Sequence, residues 1–177
     1  MDWQFFGSLS ETDAKVFLEN FLSVESLEIK NLIETTQDEG VVADFSIESI
    51  APMFRWGISK IETIRKDPDK SLPEWIRTSS SYLDNHFSFS ESSKLIILRL
   101  AYYLGETFIR SFPPLMWAIG NRETAEQNMP VITGFKYGIE MAPILVSENM
   151  IGRIVADSGK INDINLMIES WKKDVKS

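Results

Sequence analysis

A chain of 177 residues, 44% apolar and 25% charged, is long and apolar enough to bury one full core, which excludes a largely disordered polymer and makes a single domain the expectation. The absence of cysteine removes disulfides, thiolate metal sites and thiol nucleophiles, and suits a reducing compartment. A formal charge of −8 opposes phosphate backbones and anionic lipid, and the longest apolar stretch, Lys94 to Leu104, is interrupted by Arg99, so neither nucleic acid nor a membrane is expected as partner and the expected location is cytoplasmic.

Trp3, Phe5 and Phe6 open the chain, and such terminal aromatics either dock back on the domain or serve as an exposed anchor for a partner. Ser10, Glu11, Thr12 and Asp13 predict a helix start, because a serine oxygen accepts from a free amide while acids in the first turn complement the helix dipole. Val16, Phe17, Phe21 and Leu22 follow at helical spacing, and a second helical pattern, Leu27, Ile29, Leu32 and Ile33, runs toward Gly40. Residues 1–40 are therefore expected to form an acidic helical pair, followed by an α+β body over 41–157 and a C-terminal helix over 158–177.

Ser46 predicts the cap of an amphipathic helix carrying Ile50, Met53, Phe54, Ile58, Ile61 and Ile64. Residues 65–81, with Pro68, Pro73 and three consecutive serines, read as loop. Ser88 and Glu91 have capping-box spacing, and the helix beyond them is apolar over most of its circumference, as a central buried helix would be, until Pro113 and Pro114 stop it. Leu115–Ile119 and Pro130–Ile139 predict strands, the second by strict alternation, with a polar loop between them. Pro143–Val146 reads as a third strand, Ser147 as the cap of a helix to Ala156, and Ile161–Lys173 as the last helix. Helices first and a small, mainly antiparallel sheet in the C-terminal half make an α+β class.

The side chains that catalysis needs are sparse. His86 is the single histidine, so no histidine metal cage can form, and the phosphate-binding glycine loops and the Gly-x-Ser-x-Gly elbow are missing. No catalytic residue, metal or cofactor is expected, and the chain is read as a non-enzyme. Glu106 is the carboxylate of interest, because it lies inside the apolar central helix, with Arg110 one turn on, Arg99 two turns back and the Tyr102 and Tyr103 hydroxyls nearby. It belongs either to a satisfied polar network that fixes the helix or to a pocket where its pKa is raised, with Tyr102, Arg110 and Trp117 as neighbours. Gly105 beside it predicts a close crossing, since glycine inside a helix costs about 1 kcal/mol relative to alanine. Trp117, Phe135 and Tyr137 are either core or an aromatic ligand platform.

Charge is unevenly distributed. Residues 1–50 hold eleven acids against Lys15 and Lys30, whereas the remainder carries fifteen acids and sixteen bases and is close to neutral. An acidic surface of this kind attracts basic proteins, or it serves only solubility.

Three stretches, Phe45–Ile50, Ala101–Phe108 with its Tyr-Leu-Gly-Glu core, and Trp117 followed by Asn128–Val131, resemble small bacterial proteins, some of them immunity proteins of polymorphic or contact-dependent toxin systems. The resemblance spans residues 41–157, implies a fold more than a function, and carries over no catalytic residue. Together with the acidic first third it sets the expectation of an immunity or antitoxin-type protein that binds a toxin domain, itself basic, through Glu19, Glu25, Glu28, Glu34, Asp38 and Glu39. The alternative is a small enzyme or ligand-binding protein with its pocket near Glu106 and Trp117.

Overall fold

The computed structural model describes residues 3–79, 86–121, 124 and 126–176, without the side chains of Trp3 and Gln4. In chain order the elements are helix α1 (Trp3–Ser8), α2 (Glu11–Gln37), α3 (Ile47–Ser59), strand β1 (Thr63–Arg65), α4 (Glu74–Arg77), β2 (Phe87–Phe89), α5 (Glu91–Ser111), β3 (Met116–Ile119), β4 (Pro130–Thr133), a 3-10 turn (Lys136–Gly138), α6 (Pro143–Val155) and α7 (Asp163–Lys173). Both ladders are antiparallel, β1 with β2 and β3 with β4, so the α+β class stands. Among the described residues, no helix is long and apolar enough to cross a membrane.

Serine caps set the helix starts. Ser10, Ser46 and Ser90 are extended and accept from the amides of Asp13, Ser49 and Ser93, each satisfying one of the donors a first turn leaves open. The cap of α5 is thus Ser90 rather than Ser88, which lies in β2 with its backbone in the ladder. Helix α5 is central as expected: Leu100, Ala101, Tyr103, Leu104 and Phe108 are completely buried, and α2, α3 and α6 pack around it. Gly105 is where β3 crosses, since a Cβ there would run into the Trp117 ring.

Several expectations fail for physical reasons. The acidic helical pair is a single helix of 27 residues: the buried phase passes from Phe21 to Ile29, Leu32 and Thr36 without a break. Ile61 and Ile64 lie beyond the end of α3, with Ile64 exposed in β1. The stretch after Thr133 is not strand, because Gly134 turns the chain at φ +106° and Tyr137 sits at φ 59° inside the 3-10 turn. The third strand over Pro143–Val146 is the first turn of α6, where proline's fixed φ suits the first helical position; Ser147 is buried within that helix rather than capping it. A third β partner does exist one step earlier, where Met141 bridges Ile132. The expected loop over 65–81 holds β1's end and the short helix α4; its Ser80 and Ser81 lie outside the described residues.

Helix α1 is docked, not free. Phe6 is 2% exposed against Met129, Val131 and Ala142, and the buried Asn128 side-chain amide donates to the carbonyls of Phe6 at 3.1 Å and Leu9 at 3.0 Å. Phe5 remains about half exposed, and the Trp3 side chain lies outside the described residues.

Candidate functional site

The phase of α2 sorts its acids. A helix advances about 100° per residue, so Phe21, Glu25, Glu28, Ile29 and Leu32 share the side that faces α5 and β3, while Val16, Glu19 and Leu27 look outward and Glu34 stands exposed at the outer edge of the groove between α2 and α5. The six expected partner contacts therefore do not form one surface. Glu19, Glu34 and Asp38 are exposed, Glu34 with Lys30 at 3.6 Å. Glu39 is held 2.9 Å from Lys60 at the end of α3, and that ammonium keeps its carboxyl below the usual carboxylate range. Glu28 accepts from Arg99 Nε of α5 at 2.7 Å, with both side chains about one-fifth exposed. Glu25 points into the body.

At Glu25 three elements converge. The Trp117 indole of β3 donates to Glu25 Oε1 at 3.0 Å, the Glu25 and Glu106 carboxyls meet within hydrogen-bonding range, and Arg110 Nε donates to Glu106 Oε2 at 3.1 Å. Arg110 in turn lies 3.7 Å over the Phe45 ring. Phe45 takes the left-handed region at φ 58°, and its amide donates to Tyr103 OH at 3.1 Å; that hydroxyl also meets Ser49 Oγ at 2.6 Å. Beneath Glu25, Tyr102 donates to the Phe21 carbonyl at 2.7 Å. Burial, then the charges of Glu25 and Glu28, push the Tyr102 hydroxyl well above the usual phenol range.

The Glu25 carboxyl is pushed up to about 7, first by burial and then by the Glu106 charge, with the Trp117 indole and Arg110 pulling the other way. It opens on a groove of about 340 Å³ between α2 and α5, walled by Ile29 and Ile33 and flanked by Lys30, Glu34, Glu106 and Arg110. Chemically this is a carboxyl pair holding a proton near neutral pH at the seam between two helices. Among the described residues, no group of three or more His, Cys, Asp or Glu side chains stands close enough to hold a metal ion.

Of the neighbours expected for Glu106, Arg110 bonds it, Trp117 bonds Glu25 beside it, Tyr102 lies below, and Arg99 serves Glu28 instead. Tyr137 is 92% exposed in the 3-10 turn, and Phe135 is buried in the core against Phe108 and Trp171, so the aromatic platform does not assemble. His86 Nε2 lies 2.9 Å from the Asp67 carbonyl, away from the groove. Glu25, expected as a partner contact, is instead part of the seam; the signal for this is the apolar phase of α2, in which position 25 falls between Phe21 and Ile29. No protein-family model, curated protein or solved structure matches this chain.

Proposed function

We propose that the chain is an immunity-type binding protein that neutralises a basic toxin domain by docking it on the outward face of α2. The observation that carries this reading is the make-up of that face. Val16, Leu27 and Glu34 fall in line along the helix, at spacings of about three and two turns. Val16 is 50% and Leu27 57% exposed, Val24 stands beside them, Glu34 ends the line, and Glu19 and Asp38 flank it. An apolar centre with a charged rim is the usual anatomy of a specific interface, and the negative rim suits a cationic partner. The contacts narrow from six to these three acids, because Glu25, Glu28 and Glu39 already serve the fold.

The test is charge reversal. Against a basic toxin domain that the unaltered chain binds, the triple variant Glu19→Lys, Glu34→Lys, Asp38→Lys should bind at least tenfold more weakly by calorimetry and fail to protect cells that express that domain. Unchanged affinity and unchanged protection would remove α2 from the reading.

One observation favours a second reading, a small ligand-binding protein or enzyme using the pocket at Glu106 and Trp117: a carboxyl that exchanges its proton near pH 7 faces an open groove. Saturable chemical-shift changes confined to Ser26, Ile29 and Ile33 on adding a fragment mixture would rank it first.

A further inference from the structure

Glu25 of α2 and Glu106 of α5 line one groove, the first bonded by the Trp117 indole at 3.0 Å and the second by Arg110 at 3.1 Å, and their carboxyls interact with each other. Two carboxyls within hydrogen-bonding range attract when they share one proton and repel when both are ionised. Here each comes from a different helix, so the protonation state acts on the seam itself. We propose that the Glu25–Glu106 pair is a pH-sensitive latch between α2 and α5, closed when the two carboxyls share a proton and loosened when both ionise.

The surroundings support this assignment. On α2 the other ionisable groups near the pair are Glu28, committed to Arg99, and Lys30 and Glu34 along the groove. On α5 they are Arg110, which bonds Glu106 and stacks on Phe45, and Tyr102, whose hydroxyl is occupied by the Phe21 carbonyl. Strand β3 supplies the neutral Trp117 indole, and the segment before α3 supplies the Phe45 ring. One guanidinium and one indole donor thus face two carboxyls. Burial of Glu25 comes first and the neighbouring Glu106 charge second among the reasons for a proton to remain.

The direction follows from linkage. Glu25 moves from the ordinary value of 4.5 to about 7 in the fold, so between those pH values the folded chain holds a proton that the unfolded chain has released. The latch contribution is complete below about 4.5, decays as pH rises toward 7, and is gone above it. Each unit of difference in pKa corresponds to about a tenfold change in the opening equilibrium, reduced here because the groove admits water. The latch is internal to the chain and stands whether or not α2 docks a partner.

The experiment uses the full chain without any partner. The Trp117 indole N–H resonance, identified by its loss in Trp117→Phe, should titrate with a midpoint near 7 as Glu25 ionises. Amides of α2 between Phe21 and Ile33, after correction for intrinsic exchange rates, should lose roughly tenfold in protection between pH 5.5 and pH 8. In Glu106→Gln the amide can donate to Glu25, so the indole midpoint should fall and the pH dependence of protection should shrink, with the part due to burial remaining. Glu25→Gln, a second variant should the first fail to fold, should abolish both responses. An indole midpoint below about 5.5, equal α2 protection at both pH values, or an undiminished pH response in either glutamine variant overturns the latch.

Discussion

The two sides of α2 use the same residue type for opposite purposes. On the outward side Glu19 and Glu34 stand in water near exposed Val16 and Leu27, and Glu34 is paired with Lys30 of the same helix. On the inward side Glu25 and Glu28 reach partners from other elements, Trp117 of β3 and Arg99 of α5. An acid on the first side acts at long range through potential, which salt screens over about 10 Å. An acid on the second side acts through contact in a partly dry seam, where removing one partner leaves the other exposed to the full desolvation cost. Segment charge therefore says how negative a helix is, while helical phase says which of its charges are available.

Hollowing the inward side of α2 should have the largest effect. Phe21 is nearly buried, with its ring 4.4 Å from Tyr102 and 5.5 Å from Trp117. Phe21→Ala should lower stability by about 3–5 kcal/mol in urea unfolding, whereas Leu27→Ala, two turns along on the outward side, should change it by about 0.5 kcal/mol or less. Equal losses from the two would show that α2 does not lie in this orientation. Gly105→Ala probes the floor of the same seam. Its new methyl would meet the Trp117 ring, so a loss of about 1–3 kcal/mol is expected in thermal unfolding, together with a shifted Trp117 indole resonance.

The ion pair of Glu28 with Arg99 sharpens the contrast on a smaller scale. Both groups are about one-fifth exposed and 2.7 Å apart, against 3.6 Å for Glu34 and Lys30, whose side chains are about two-thirds exposed. A double-mutant cycle of Glu28→Gln with Arg99→Gln should return about 1 kcal/mol of coupling, and the same cycle on Glu34 and Lys30 about 0.3 kcal/mol. Raising the salt concentration should shrink the second coupling more than the first.

How much of this was legible in the sequence depends on how local the signal was. Ser46 and the central helix could be read because a cap needs only its own first turn and an apolar circumference needs only its own helix. Gly105 announced a crossing, and β3 supplied it. Helix α2 was misread where Ser23, Val24, Glu25 and Ser26 interrupt the apolar run, which looked like a break between two helices. The break is the site: Glu25 holds a core-facing position that Trp117, 92 residues away, makes tolerable. No pattern within α2 carries that information, and a position where local rules fail is where a functional or strained residue is expected. The strand expected over Pro143–Val146 failed for a different reason, since four apolar residues after a proline fit a strand or a first helical turn equally until α5 offers a helix to pack against.

The outward acids give the smallest effect on the fold and the sharpest separation of the two sides. Glu19→Lys and Glu34→Lys each remove a negative charge from water, and neither carboxylate is buried, so thermal unfolding should shift by the equivalent of about 0.5 kcal/mol or less. Glu34→Lys also places a cation beside Lys30, a like-charge pair at helical spacing that accounts for a few tenths of a kcal/mol of that range. If the outward side is where a cationic domain docks, the same two variants should slow association several-fold at low salt and lose that effect at high salt, with dissociation nearly unchanged. A variant that left the association rate intact while unfolding several degrees lower would assign Glu19 and Glu34 to the fold, and the distinction between the two sides of α2 would disappear.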